Sequence, residues 1–424
     1  MQKIINKILS FFSTEFSKNI VKVFSGSAIA YLIGFLSLPL ITRLYTAADV
    51  GTYQVLLSII VLFSTISALK FEMAIVLPEE DREANNIAVV MLLSVVATTV
   101  IFGILFLLAG DQILELLKKS ELSNLTGLIV TGIFFNGVYL SVQYLYIRSK
   151  RFGGLSRNRI VEASATGGGS VILGFLKFDY MGMFISKIAG VVVASLLIFK
   201  TIGLDTFKNT TAEDIRAVVK KYKKFPLVNT PMVLLNTLSL ELPVFMMSIF
   251  FDAKIVGLFA LSRRVLSIPL NMVAKSVSQV YLQAASEAYN YDKSKLLDIY
   301  NNTVKKLMLI GIIPAVLALL SPWIFEYLFG AEWIDSGVFL QLMVFWLYFQ
   351  FVNHPVSTTF SIIDKQEVAL WLVIGTIIFK FVTMYYFSYD PFIMVLALSV
   401  VSGIFYILFN VLIYVNIKKL VKPH

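Results

Sequence analysis

Long apolar segments separated by short polar ones recur along the whole chain. An α-helix rises about 1.5 Å per residue, so about 20 apolar residues are enough to cross a bilayer. The pattern predicts twelve such helices, at residues 20–44, 51–76, 86–109, 122–147, 159–178, 182–203, 226–250, 254–285, 303–321, 335–362, 367–388 and 391–417. We therefore predict an all-α polytopic membrane protein.

Two further segments show helical amphipathicity without the length of a span. In residues 1–18, apolar side chains recur at helical spacing and lysines lie elsewhere around the helix, as in a helix that lies on the membrane surface. The longest connection, 205–225, contains TTAEDIRAVVKKYKKF, in which Thr210 and Glu213 have the spacing of a capping box. We predict a short helix there whose lysines suit anionic lipid headgroups.

The two halves of the chain resemble each other. Val50-Gly51-x-Tyr53 corresponds to Val256-Gly257-x-Phe259, and Ile113 onward corresponds to Ile324 onward. Six spans per half is an even number, so both halves enter the membrane from the same side, as parallel repeats. The predicted organisation is an N-terminal six-helix lobe at 1–204, a cytoplasmic linker helix at 205–225 and a C-terminal six-helix lobe at 226–424.

Composition agrees with this class and excludes others. The chain is 58% hydrophobic and 15% charged, with a mean hydropathy of +0.82, whereas soluble domains are about 45–50% apolar and about 25% charged. It contains no cysteine and two histidines, which excludes disulfides, thiolate chemistry and a histidine metal cluster. Short outer loops leave no room for a catalytic domain, so an enzyme is not expected.

The distribution of basic residues predicts the orientation. With the N-terminus in the cytoplasm, 26 of the 36 Lys and Arg residues fall on the cytoplasmic side or in the termini, and five on the opposite side. Cytoplasmic loops carry the excess of Lys and Arg in membrane proteins. Both termini are therefore predicted to be cytoplasmic. The net charge of +10 is attributed to these loops and not to nucleic-acid binding.

The eighth segment carries the most distinctive chemistry. At 100° per residue, one face of this helix presents Arg264, Ser267, Asn271 and Lys275, with Arg263 beside them. A cation at the centre of a lipid-facing helix costs about 2.5 to 3.5 kcal/mol, so this face must turn toward protein or water. Interhelical salt bridges are one explanation. A cationic surface for an anionic cargo is the other.

The seventh segment contributes one intramembrane carboxylate, Glu241, on a face shared with Thr230 and Thr237. Such a carboxylate is expensive unless it is used or paired. We expect either a binding site for a coupling H+ or Na+, or a salt bridge to a nearby cation such as Arg263 or Lys275. No other cofactor is expected.

Several stretches resemble one family of transporters: PLITRLYTAADVGTYQVLLSII, KFEMAIVLPEED, SRRVLSIPLNMVAKSVSQVYLQAASEAYN and LFGAEW. As an ensemble they are similar to the Wzx-type polysaccharide (O-antigen) repeat-unit flippases, within the multidrug/oligosaccharidyl-lipid/polysaccharide exporter superfamily. The resemblance covers about residues 19–417. It implies two six-helix lobes around a central cavity, arranged as in the multidrug exporters, with cationic cavity walls.

The same resemblance implies the cargo and the cellular context. The cargo would be an undecaprenyl-diphosphate-linked oligosaccharide, flipped across the bacterial inner membrane for O-antigen or another surface polysaccharide. The partners would be this anionic lipid-linked glycan, membrane lipids, and the polymerase and chain-length regulator of the same pathway. Arg264 and Lys275, then Arg263, Asn271 and Ser267, are the candidate cargo-binding residues in this chain, and Glu241 is the candidate coupling residue.

An ion-coupled exporter of organic cations, from the same superfamily, is the alternative function. Those exporters generally favour carboxylates in their cavities. Here the repeat alignment places Ser37 of the first span opposite Glu241, which leaves the first span without a buried carboxylate. The cationic eighth segment also favours an anionic cargo.

Overall fold

A computed structural model of the chain describes residues 15–203 and 210–421, and within them the structure is helical throughout, without strands. The N-terminal helix predicted over residues 1–18 lies almost entirely outside this range. The helices are α1 (Glu15–Leu36), α2 (Leu38–Leu44), α3 (Ala47–Ser64), α4 (Phe71–Ala74), α5 (Asp81–Leu116), α6 (Thr126–Arg148), α7 (Phe152–Phe175), α8 (Asp179–Ile202), α9 (Ala212–Lys221), α10 (Thr230–Phe250), α11 (Ala253–Tyr291), α12 (Ser294–Leu319), α13 (Ser321–Phe329), α14 (Ile334–Val356), α15 (Thr359–Ile362), α16 (Gln366–Tyr386) and α17 (Pro391–Val421).

Helices occupy all twelve predicted spans. Eleven helical stretches of the described residues are long and apolar enough to cross a membrane. The predicted fifth span, within α7, is not among them. It is a 24-residue helix as long as α8, but glycines, serines and charged residues lower its apolar content. The prediction of an all-α polytopic membrane protein is confirmed.

Two predicted spans are interrupted. The first is divided at Ser37, between α1 and α2, where the serine hydroxyl donates to the Gly34 carbonyl. The second does not continue as one helix to residue 76, because α3 ends at Ser64 and residues 65–70 form turns. Leu69 and Lys70 have φ values of 49° and 60°, in the left-handed region that ends right-handed helices. Apolar content alone did not reveal either interruption.

Internal contacts divide the chain into two compact units. The first consists of residues 1–44 and 56–237, and the second of residues 45–55 and 238–424. These bounds differ from the predicted lobes in two places. The start of α3 belongs with the C-terminal helices, and the linker and residues 226–237 belong with the N-terminal ones.

The linker helix α9 is anchored to the first unit. Val218 and Tyr222 are buried in a core cluster with residues of α5 and α6, and the Lys221 ammonium bonds the Glu83 carboxylate. The capping box is formed by Thr211 and Asp214, one residue later than the predicted Thr210 and Glu213. The apolar face of α9 therefore packs against protein, while its lysines stay exposed.

Features of the predicted repeat recur at constant spacing. A 3₁₀ turn begins at Ser120 in the first unit and another at Ala331 in the second, 211 positions later. Helix α8 begins at Asp179, and α17 begins at Pro391, directly after Asp390, whose carboxylate accepts from the backbone of Phe392 and Ile393. Because the same structural features recur 211 residues later in the chain, they support an internal duplication.

Candidate functional site

Helix α11, in the second unit, carries all five predicted cargo-binding residues. It begins at the N-cap Asp252, whose carboxylate accepts from the backbone N–H of Ile255 at 2.9 Å. Its 39 residues correspond to about 58 Å of helix, almost twice the hydrocarbon thickness of about 30 Å. Arg263 and Arg264 lie about 16 Å from its start, and Lys275 about 16 Å further along.

Arg263 and Glu241 are brought together. The Nη2 atom of Arg263 lies 3.8 Å from Oε1 of Glu241 on α10, and the two side chains are 22% and 13% exposed. The distance is that of an ion pair without a close hydrogen bond. Of the two explanations for the charged face of α11, interhelical salt bridging therefore applies to Arg263. Glu241, which was expected either to bind a coupling ion or to form a salt bridge, forms this ion pair.

Arg264 and Lys275 are the two other cations of this face of α11. Arg264 is half-buried and Lys275 is exposed. Lys275 is close enough to His354 on α14 to interact with it electrostatically. The two cations are separated by eleven positions, three helical turns, so they project from one side of α11 at different depths.

Ser267 and Asn271 face helix α14. Together with side chains of both helices they line a cavity of about 20 Å³, which is room for about one water molecule. The other lining residues are Leu270, Ala274, Leu347, Gln350, Phe351 and His354. The polar stripe of α11 therefore lies along α14 over these residues, since His354, which lines the cavity with Ser267 and Asn271, is also the residue on which Lys275 acts.

A further cation of the second unit is Lys380 on α16. Its side chain is completely buried, and its Nζ atom donates to the Ser239 carbonyl of α10 at 3.0 Å. The positive charge of Arg263 is close enough to interact electrostatically with the Lys380 side chain. The sequence shows Lys380 as an isolated intramembrane charge, but nothing local in the sequence connects it to Ser239, 141 positions earlier.

The charge of these three helices is unbalanced. Residues 230–250, 255–280 and 370–386 contain four cations, Arg263, Arg264, Lys275 and Lys380, and one carboxylate, Glu241. This excess is the chemical feature that an anionic ligand would complement.

The first unit has a different pattern. Lys187 pairs with Glu162 at 2.7 Å, and Lys70 pairs with Glu72 at 2.8 Å, so each of these intramembrane carboxylates has a lysine partner. Arg159 bonds neutral groups: its Nη1 donates to Ser27 at 2.6 Å and its Nε to Gln143 at 3.3 Å. Arg159 is the first residue of the predicted fifth span, and nothing local in the sequence indicated this bridge across α1, α6 and α7.

Across residues 15–203 and 210–421, no three His, Asp or Glu side chains converge in a way that could hold a metal ion.

Comparison with known proteins gives the family. Residues 40–338 match the family described as polysaccharide biosynthesis protein. The chain belongs to this family. A relative is the capsular polysaccharide biosynthesis protein CapF of Staphylococcus aureus, which is 23% identical over 384 residues, 86% of this chain and 91% of CapF. These matches confirm the resemblance to polysaccharide exporters that was predicted from the sequence motifs.

Solved structures show that this polysaccharide biosynthesis protein has a known transporter fold. The inward closed lipid II flippase MurJ superimposes with a TM-score of 0.71 at 14% identity, covering 93% of this chain and 90% of MurJ. An inward-facing multidrug transporter of the MOP superfamily gives 0.64 at 18% identity, covering 94% of both chains. A MOP transporter from Pyrococcus furiosus, described as having a binding pocket of reverse polarity, gives 0.63 at 16% identity, covering 96% of this chain and 97% of that one.

Proposed function

We propose that this protein flips undecaprenyl-diphosphate-linked oligosaccharide repeat units from the cytoplasmic to the periplasmic leaflet of the bacterial inner membrane. Transport proceeds by alternating access, and the product serves O-antigen, capsule or another surface polysaccharide. The excess of cations over carboxylates in the middle of α10, α11 and α16 carries this proposal, and membership in a polysaccharide biosynthesis family supports a lipid-linked glycan as the anionic cargo.

Arg264 and Lys275 are the cargo-binding cations of this proposal, because they lie outside the Arg263–Glu241 pair. Arginine offers two parallel hydrogen bonds to a phosphate, whereas lysine acts as a point charge. The diphosphate would meet Lys275 and Arg264 at successive depths along α11. Binding must remain moderate, since the cargo has to leave on the other side.

Arg263, Ser267 and Asn271 take supporting roles. Arg263 is held by Glu241, and the two neutral residues face α14 across a cavity the size of one water molecule. Glu241 remains the candidate for binding a coupling H+ or Na+, in which case ion binding would compete with the Arg263 ion pair. The polymerase and the chain-length regulator of the same pathway are the expected protein partners.

An organic-cation exporter needs a carboxylate available to its cargo. Glu241, the carboxylate of this helix group, is in an ion pair with Arg263, and Glu162 and Glu72 of the first unit are paired with lysines. These pairings favour the flippase over the exporter. An export assay with organic cations in cells should accordingly show no difference between the wild type and a deletion strain.

The function is tested in proteoliposomes that contain a fluorescent undecaprenyl-diphosphate oligosaccharide, with leaflet exposure measured by a membrane-impermeant quencher. Arg264→Glu should abolish translocation, and Arg264→Lys should restore it only in part because the charge remains without the two-fold hydrogen bonding. A hydrogen bond to a charged group contributes about 1.5–3 kcal/mol, so Arg264→Ala and Lys275→Ala should each weaken cargo affinity about tenfold or more.

The matched control is Lys254→Ala, which removes an exposed lysine at the beginning of the same helix and should translocate at the wild-type rate. Surface polysaccharide in a complemented deletion strain provides the cellular measurement. Wild-type translocation by Arg264→Glu, at equal protein content, would refute the assignment of the site.

A further inference from the structure

Helix α10 continues through a proline. Pro243 lies inside the helix that runs from Thr230 to Phe250. In an α-helix the N–H of each residue bonds the carbonyl four positions earlier, and proline has no N–H. The carbonyl that loses its helical partner is therefore that of Ser239, a residue that is 6% exposed. Buried carbonyl groups need another donor.

Lys380 supplies that donor. Its Nζ atom donates to the Ser239 carbonyl at 3.0 Å from helix α16, and the lysine side chain has no exposed surface. A hydrogen bond from an ammonium is stronger than one between neutral groups. The lysine that appears in the sequence as an isolated intramembrane charge thus bonds the one carbonyl of α10 that Pro243 leaves without its usual partner.

The remaining surroundings of the ammonium are aromatic. The Nζ atom lies 5.3 Å from the centre of the Trp346 ring on α14, a favourable cation–π distance. In the described part of the chain the Nζ atom has no carboxylate at ion-pair distance, and the nearby Glu241 lies close to Arg263 instead. An ion pair therefore does not explain why a lysine is buried here, whereas the Ser239 carbonyl does.

We propose that Lys380 is a positioning residue, whose ammonium replaces the amide N–H that Pro243 lacks and so holds helix α10 in the conformation from which Glu241 reaches Arg263. Ser239, Glu241 and Pro243 lie within five residues of one helix, so a change at the Ser239 carbonyl moves Glu241 directly. Lys380 acts on the Arg263–Glu241 pair through the backbone of α10. The proposal rests on the proposed function only where polysaccharide export is the readout.

A double-mutant cycle tests the hydrogen bond. Thermal unfolding is measured in lipid nanodiscs for the wild type, Lys380→Met, Pro243→Ala and the double variant. Lys380→Met should lower the melting temperature of the wild type. In the Pro243→Ala background this loss should fall by more than half, because alanine has an N–H that bonds the Ser239 carbonyl within the helix. Pro243→Leu serves equally, since any residue other than proline restores the amide.

The control is Lys187→Met, which removes an intramembrane lysine whose partner is a carboxylate, Glu162. Its effect should be the same in both backgrounds. An equal loss of melting temperature from Lys380→Met with and without Pro243 would overturn the proposal. If the Lys380→Met protein does not accumulate in membranes, the amount of the double variant in the membrane is measured instead. A double variant that also fails to accumulate would overturn the proposal.

Export of surface polysaccharide distinguishes positioning from a purely structural role. At equal membrane protein content, Lys380→Met should reduce export and Lys380→Arg should retain more of it, because the guanidinium still donates to the carbonyl. Equal export by wild type and Lys380→Met would refute the positioning role. A double-mutant cycle with the expected rescue would support the Lys380–Ser239 hydrogen bond even if Arg264→Glu exported polysaccharide normally. Normal export by Arg264→Glu would then refute only the proposed cargo site.

Discussion

Gly51 and Gly257 each lie directly against the backbone of the other's helix. A Cβ atom at Gly51 would be 1.8 Å from the Ala253 carbonyl oxygen, and one at Gly257 would be 1.8 Å from the Ala47 carbonyl oxygen. The two glycines occupy equivalent positions of the internal repeat, and both belong to the second compact unit. The contact is reciprocal, as expected where a two-fold relationship brings equivalent surfaces together. Small residues allow such close approach of membrane helices.

Gly51→Ala and Gly257→Ala should each destabilise the protein strongly, because the obstructing atoms are backbone and have no rotamer to change. Forcing a methyl group into a packed contact costs about 1–3 kcal/mol, and occasionally more. We expect a lower melting temperature or loss of the protein from the membrane. Gly168→Ala is the matched control, since nothing lies within 4 Å of its Cβ position, and a helical alanine is favourable there.

The predicted orientation can be tested with single cysteines, because the chain has none of its own. Lys118 and Lys254 are exposed at the ends predicted to face outward, and Glu80 and Lys220 are exposed at the ends predicted to face the cytoplasm. Cysteines at the first two positions should react with an impermeant maleimide added to intact cells, and those at the last two only after permeabilisation. The reverse pattern would invert the proposed topology.

Glu241→Gln tests ion coupling at the Arg263 pair. The substitution keeps the size of the side chain but removes its charge, so neither H+ nor Na+ can compete with Arg263 for it. We expect transport that no longer responds to an imposed H+ or Na+ gradient. Glu287→Gln, at an exposed position of the same helix as Arg263, should leave the response intact. An unchanged gradient dependence in Glu241→Gln would assign coupling to another residue.

The capping box of α9 makes this helix sensitive to acid. The backbone N–H of Thr211 donates to the Asp214 carboxylate at 3.0 Å and its hydroxyl at 2.8 Å, and these bonds, the backbone one foremost, lower the pKa of Asp214. A carboxyl with a lowered pKa in the folded state stabilises fully above its unfolded pKa of about 3.9, and this stabilisation is lost as the pH falls through the lower folded value.

Hydrogen-exchange protection factors for residues 212–222 should therefore be constant above about pH 5 and decrease in stronger acid. Thr211→Ala removes the N-cap hydroxyl, a loss of about 1 kcal/mol, and should reduce protection about fivefold at neutral pH. Asp214→Asn should reduce the pH dependence, and the Lys221–Glu83 ion pair accounts for what remains. Protection that decreases in acid to the same extent in Asp214→Asn would assign the effect to another carboxylate.

The exposed cations of the linker should respond to anionic lipid. Arg216, Lys220, Lys223 and Lys224 are exposed and recur at helical spacing, opposite the face that packs on the first unit. Each cation near an anionic surface contributes about 1 kcal/mol. Replacing all four by glutamine should weaken retention of phosphatidylglycerol, measured by native mass spectrometry, more than the triple control Lys118→Gln, Lys177→Gln, Lys254→Gln. Equal retention by both variants would exclude the linker as the lipid site.

The sequence by itself determined where most of the apolar helices lie and the class of protein. Hydropathy over about 20 residues is a local quantity, and a bilayer imposes the same length on every span, so helices at 86–109 or 391–417 follow from the residues within them. The repeat was also visible locally, because Gly51 and Gly257 each follow a valine and each precede an aromatic residue by two positions. The cationic face of α11 was visible for the same reason, since helical periodicity is set by 3.6 residues per turn.

Only the tertiary structure decided which of these charges pair with one another. Arg263 and Arg264 are adjacent in sequence, yet Arg263 pairs with Glu241 and Arg264 lies apart. Lys380 donates to a backbone carbonyl 141 positions earlier in the chain. The interruption at residues 65–70 was not predicted from hydropathy. Partnership depends on which helices pack together and at what rotation, and these are properties of long-range packing that no window of sequence contains.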